Sequence, residues 1–220
     1  MTEQPESFGA LPLGRFAERL ASAEPVPGGG SASAVAASLA AALLEMVARL
    51  SQDRPKYALY AASIARAAAA GASARTRFLA LADEDAAAYA GFAAALKLPR
   101  DGEAAQAQRR RALSTAAREA SRVPLEMVRL CRSVAEEIEA LAGRSNQNAS
   151  SDLVVAALLA EAAARGAGAN VMVNLPSVED PEFVGAMTSE LDSHLDAIRH
   201  LARQTRERVG DGELREPEDA

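Results

Sequence analysis

The chain has 220 residues with a formal net charge of −6 and no basic run, which argues against nucleic acid as the main partner. Hydrophobic residues make up 49% of it, so it folds around a core, but aromatics are only 4% and Trp is absent, so that core is built from Ala, Leu and Val. Small side chains and the high helix propensity of Ala predict an all-α fold, a single-domain bundle of long Ala-rich helices. Its one cysteine, Cys131, excludes an internal disulfide and any Cys-based zinc site, and reads as a core thiol.

Residues 1–11 read as a loose N-terminus with acids where a signal peptide would be basic. A first helix is predicted from Leu13 to Ala21, near Pro12. Pro25-Val26-Pro27-Gly28-Gly29-Gly30 then forbids helix up to Pro27, and Ser31 is the expected N-cap of a long helix to about Leu50. This side-chain-free loop leading into a helix N-terminus reads two ways: a tight turn where helices approach, or a seat for an anion or close-packed ligand. It lacks the Gly-Lys-Ser/Thr of a phosphate-binding loop. The apolar stretch 32–44 is too short to span a bilayer before Glu45. Val35, Leu39, Leu43, Met46 and Leu50 share one stripe of this helix, as expected for a central core helix or a subunit interface.

Pro55 suits the first turn of a third helix, Lys56 to Leu96, with Gly71 as a weak point. Pro99-Arg100-Asp101-Gly102 is a turn, and a fourth helix runs from Glu103 to Leu141 with a kink or join at Pro124. After the polar loop 143–150, Ser150 or Ser151 caps a fifth helix to about Arg165. Gly166 and Gly168 are expected to interrupt it, leaving Ala169 to Leu175 as a separate helix or short strand. Pro181 opens a last helix to about Arg208, and 209–220 reads as a polar tail. The helical domain is therefore 12–208.

Asp85 breaks its local pattern. Phe78, Leu81, Asp85, Phe92 and Leu96 share a stripe, with Ala88 and Tyr89 beside it. A carboxylate in that register faces apolar surroundings, where it needs either a cationic partner or a raised pKa suited to acid–base work. Asp83, two positions earlier, points to roughly the other side. Of Arg109, Arg110 and Arg111, only one can lie near the core. Lys56 and Tyr57 stand at a helix start, while Asn146, Asn148, Ser151 and Asp152 form a polar cluster that reads either as an amide-rich ligand site or as a turn and cap. Asn170 and Asn174 are four apart and share a face; His194 and His200 are six apart and do not, which argues against metal binding.

Taken together, Pro27 to Ala34, Leu81-Ala82-Asp83-Glu84-Asp85-Ala86-Ala87-Ala88-Tyr89, Leu98-Pro99, Arg109, Val123-Pro124-Leu125, Asn146, Ser151-Asp152, Ala156-Ala157 and Asn170 to Asn174 resemble, in order, the motifs of the formiminotetrahydrofolate cyclodeaminase / methenyltetrahydrofolate cyclohydrolase family. The resemblance covers about Phe16 to Arg206. It implies an all-helical, usually dimeric enzyme handling one-carbon units on tetrahydrofolate, with no metal and no cofactor beyond the folate that carries the unit; the acidic N-terminus and the shortness of stretch 32–44 make a cytoplasmic protein the default expectation. Cyclodeaminases close 5-formiminotetrahydrofolate to 5,10-methenyltetrahydrofolate and release ammonia; cyclohydrolases of the family open the methenyl form to 10-formyltetrahydrofolate. The family's catalytic aspartate falls on Asp85, and Gly28, Gly29, Gly30, Ser31, Lys56, Tyr57, Asp83, Arg109, Asn146 and Asp152 are the expected substrate-binding set. Formimino transfer, the work of a separate domain in larger relatives, is not expected. A non-catalytic helical dimer is the competing reading, against which the acid at Asp85 counts.

Overall fold

A computed structural model describes residues 7–217. Six α-helices make the fold, with no strand among the described residues: α1 (Leu13–Leu20), α2 (Gly29–Ser51), α3 (Ala61–Leu96), α4 (Glu103–Leu141), α5 (Ser150–Asn174) and α6 (Pro181–Asp211). The all-α expectation holds. Helices α2 to α5 form a four-helix core in which α2 lies against α3 and α5, α4 lies against α3 and α5, and α6 covers the α4–α5 side.

Alanine is what permits this packing. The faces of α2 turned inward carry Ala34, Ala37, Ala40, Ala41 and Ala48 with Leu44 and Val47, all essentially solvent-free. Gly71 marks a close backbone-to-backbone crossing. A methyl group there would sit 2.8 Å from the Ala41 carbonyl oxygen, so Gly71 is a contact point between α2 and α3 and not a weak point of its helix. Gly166 and Gly168 likewise do not interrupt α5. Added methyls would meet Ser33 Oγ at 2.4 Å and Leu191 Cδ1 at 3.2 Å, so these glycines let α2 and α6 approach an unbroken helix.

Other expectations are corrected in the same physical terms. Helix α2 begins at Gly29 with Gly28 as its N-cap, and Ser31 lies inside the helix, where its buried hydroxyl donates to the Ala82 carbonyl (3.0 Å). Pro55 opens a 3₁₀ stretch to Tyr60 before α3 begins. Pro124 does not end α4. Its missing N–H orphans the carbonyl four residues earlier, and Asn174 Nδ2 donates to that Ala120 oxygen at 2.7 Å.

Within the supposedly loose N-terminus, Asp83 accepts from Phe8 N and Ser7 Oγ (2.8 and 2.6 Å) and pins a 3₁₀ turn at Phe8–Ala10. The polar tail is strapped down as far as it is described. Arg215 donates to the Glu139 and Ala142 carbonyls and the Glu139 carboxylate, and Tyr60 donates its hydroxyl proton to the Arg215 carbonyl. Cys131 is buried as expected, and burial pushes its thiol up to about 12.

Helix α2 and the segment 147–177 are long and apolar enough to cross a membrane by length and composition, which the short stretch 32–44 did not suggest. Both lie within the bundle, and Glu45 on α2 is buried with Arg75 and Arg49 as ion-pair partners (3.1 and 2.6 Å).

Candidate active site

The N-terminus of α2 meets the middle of α3 at one point, and Asp85 stands there. Its carboxylate rests against Gly30 so closely that a methyl on that glycine would lie 2.3 Å from both oxygens. The Ser31 backbone N–H, one of the donors a helix leaves free in its first turn, lies near enough to the same carboxylate to favour its charged form. The Ser31 hydroxyl fastens the two helices one turn below, on Ala82. Only glycine at position 30 allows a carboxylate to sit over the start of a helix at this distance.

Two influences oppose each other at Asp85. Burial holds its pKa above the ordinary carboxylate value, and the Ser31 N–H pulls it down more weakly. The net direction is up. Asp85 is in none of the ion pairs of the described residues, so the salt-bridge reading of a carboxylate in this stripe does not apply. A half-buried carboxyl held above its ordinary pKa by burial, and in no ion pair of the described residues, is suited to giving or taking a proton.

Helix α5 completes this end. Asn170 Nδ2 lies 3.7 Å from where a methyl on Gly29 would be and donates to the Gly166 carbonyl at 2.9 Å. Ser33 Oγ donates to the Gly29 carbonyl at 2.8 Å and faces Gly166. Asn170, Ser33 and Gly166 were not in the sequence-derived binding set. The available signal was Asn170, which shares a helix face with Asn174 and follows Gly166 by one turn.

The structure brings Gly28, Gly29, Gly30, Ser31 and Asp85 together and leaves the other expected residues elsewhere. Asp83 is one of those, its carboxylate spent on the N-terminal 3₁₀ turn. Lys56, Tyr57, Asn146 and Asp152 gather at the opposite end of α2, 22 residues from Gly29 and so about 33 Å away along the helix. There Lys56 Nζ donates to Gln147 Oε1 (2.5 Å) and Gln147 N to the Tyr57 hydroxyl (3.1 Å). Asn146 N donates to Ser51 Oγ (2.8 Å), and Asp152 lies in the first turn of α5. A cleft of about 520 Å³ opens beside them, lined by Ser51 to Pro55, Tyr57 and Ile64. Arg109 is the member of its arginine run that is partly shielded, though this stretch of α4 lies beyond the main core: Arg110 and Arg111 are exposed, whereas Arg109 Nε is buried without a partner and Nη2 donates to the Leu96 carbonyl at 3.3 Å.

The formiminotransferase-cyclodeaminase family model matches residues 12–193. Among curated proteins, a methenyltetrahydrofolate cyclohydrolase of Methylorubrum extorquens is 33% identical over 180 residues, covering 82% of this chain and 86% of that one. The formimidoyltransferase-cyclodeaminase of Sus scrofa is 31% identical over 198 residues; these cover 90% of this chain but 37% of the pig protein. Among solved structures, a formiminotetrahydrofolate cyclodeaminase from Thermotoga maritima superposes with a TM-score of 0.83 at 29% identity, over 92% of this chain and 98% of that one.

Proposed function

The chain belongs to the formiminotransferase-cyclodeaminase family, and we propose that it converts 5-formiminotetrahydrofolate to 5,10-methenyltetrahydrofolate and ammonia, with Asp85 as the proton-transfer group. The observation that carries this reading is the Asp85 carboxylate seated on Gly30 with its pKa raised by burial.

In this reaction the folate N10 attacks the formimino carbon and forms a ring. The C–N bond to the imino nitrogen then breaks, and that nitrogen leaves as ammonia. Asp85 in its acid form delivers the proton the departing nitrogen needs and, as a carboxylate, accepts the proton N10 must lose. A positioned group of this kind contributes about 10²–10⁴-fold. The Gly28–Ser31 backbone is the side-chain-free floor on which the folate ring lies close to the acid. Neither reaction requires a metal or redox group.

Hydrolysis of the methenyl form to 10-formyltetrahydrofolate is the second reading, favoured by the relative from Methylorubrum extorquens, which matches over most of both chains. There Asp85 takes a proton from the water that attacks the amidinium carbon. Near-ultraviolet absorbance of methenyltetrahydrofolate separates the two: it rises from formiminofolate in the first case, and its loss in water is accelerated in the second. Neither change above background with pure protein would leave the non-catalytic reading standing.

The protein is further proposed to act as a cytoplasmic homodimer. The Leu39, Met46 and Leu50 part of the α2 stripe is 49%, 37% and 41% exposed, and Val155 and Leu158 of the neighbouring α5 are each 46% exposed. An isologous pairing of that face, antiparallel along α2, sets the Lys56–Asp152 end of one copy against the Asp85 end of the other. It would unite in the assembly residues that one chain keeps apart.

A further inference from the structure

The stripe that contains Asp85 changes character at that residue. Below it, Phe78 and Leu81 are sealed in the core. Above it, the stripe continues at helical spacing through Tyr89, Phe92 and Leu96, and Tyr89 and Leu96 are 45% and 42% exposed. The cause lies in element lengths. Helix α2 starts opposite Asp85, so nothing of α2 lies over the last eleven residues of α3. The main core likewise stops at Ala82 on α3, with Ala86 at its margin, and resumes at Val123 and Leu125 on α4. The end of α3 and the start of α4 therefore project past the core as a hairpin, with an aromatic strip leading away from the acid.

Arg109 stands at the far end of that strip. Its Nη2 is held on the carbonyl of Leu96, eleven residues and about 16 Å beyond Asp85, and its Nε has no partner. An unsatisfied guanidinium N–H is costly, and a carboxylate is its best acceptor.

We propose that Tyr89, Phe92 and Leu96 bed the p-aminobenzoyl ring of the folate and that Arg109 takes a carboxylate of its glutamate. This inference rests on the proposed function, since it places the distal half of the same substrate. An acid, then a flat apolar strip, then a cation reproduces the order of the substrate's own parts: reacting one-carbon unit, aromatic ring, carboxylates. The groove of about 730 Å³ on the other flank of the hairpin, with Ala87, Ala94 and Arg111 in its wall, is a poorer seat. Ala87 and Ala94 lie roughly 160–180° round α3 from Asp85.

The test is binding of tetrahydrofolate and of tetrahydropteroate, which lacks the glutamate, by anaerobic equilibrium dialysis, with turnover measured in parallel. Wild type is expected to bind tetrahydrofolate at least tenfold more tightly. Arg109→Gln should remove that preference by weakening tetrahydrofolate binding about 10- to 100-fold while leaving tetrahydropteroate unchanged. Arg109→Lys should restore part of it, and Arg111→Gln should change neither ligand. Tyr89→Ser and Phe92→Ser should weaken both ligands, raising KM and leaving kcat within about threefold. A preference for tetrahydrofolate that survives in Arg109→Gln overturns the proposal, as does a loss of mass in sedimentation for Phe92→Ser at unchanged affinity, which would assign the strip to a second copy. Tight binding without turnover would sink the proposed reaction and leave the folate seat intact; absence of binding in wild type sinks both.

Discussion

Gly30→Ala is the sharpest perturbation of the site because its size can be read from the geometry. The added methyl would lie 2.3 Å from both carboxylate oxygens of Asp85, where ordinary contact begins at 3.4 Å. Something must therefore move by about 1 Å. The α2 backbone is the less able to yield, since the Ser31 hydroxyl ties it to Ala82 and its Ala faces are buried against neighbouring helices. Asp85, half-buried and in no ion pair of the described residues, is the part that swings. Displacing a proton-transfer group by about 1 Å costs on the order of 10²-fold in rate. The expected result is a folded protein with unchanged helical circular dichroism and kcat lowered about 100-fold in the methenyltetrahydrofolate absorbance assay. Alanine favours helix over glycine, so the thermal midpoint should fall little. Wild-type kcat in Gly30→Ala would refute the placement of Asp85 as the reacting acid, since no arrangement keeps both the methyl and the carboxylate where they are.

Asp85→Asn should lower turnover by about 10²–10⁴-fold while leaving the fold intact. Its stability relative to wild type depends on pH with a definite sign. Burial raises the Asp85 pKa in the folded chain, so the folded state holds that proton more tightly than the unfolded state does. Wild type has the full benefit below 3.8, the ordinary value, and loses it as pH rises through the folded pKa; the amide loses nothing, so thermal midpoints of the pair should diverge in favour of Asp85→Asn from pH 3 to pH 7. Gly71→Ala presses a methyl on main-chain atoms of α2 at 2.8 and 2.9 Å, and urea unfolding should show a loss of about 1–3 kcal/mol. Gly91→Ala meets nothing within 4 Å in an exposed stretch of α3, so the same measurement should show a gain of about 0.5–1 kcal/mol. The paired change Leu39→Asp with Met46→Asp puts charge on the exposed α2 stripe; sedimentation should report a monomer, and a dimer that persists would discard that face as the interface.

Helix identity was legible because it depends on local chemistry: Ala-rich runs, proline starts and polar loops locate all six helices, though the expected end of α5 at about Arg165 falls nine residues short of Asn174. What the sequence hid were effects of neighbours. Gly166 and Gly168 look like breakers until α2 and α6 are seen packed on them. Pro124 reads as a kink or a join, and its place inside one helix is explained only by Asn174, fifty residues on, which supplies the Ala120 carbonyl with the proton that proline lacks. Ser31 looks like a cap but works as a buried tether, because glycine already performs the capping turn. In each case a residue with a strong local preference is used for its size or its hydrogen-bonding capacity toward another helix.

The site shows the same division. Periodicity alone singles out Asp85, because a carboxylate in an apolar register is visible in one dimension. Its neighbour Gly30 is visible only as part of a loop, and their contact spans 55 positions of chain. Periodicity also groups Phe78 and Phe92 as equivalent members of one stripe, which they are by angle but not by surroundings. One is sealed beneath α2, and the other lies beyond the point where α2 begins. Where a helix is covered is set by the length of its partner. Asp85 marks that boundary: it is buried enough to have its pKa raised and sits where the cover ends, so a ligand can reach it.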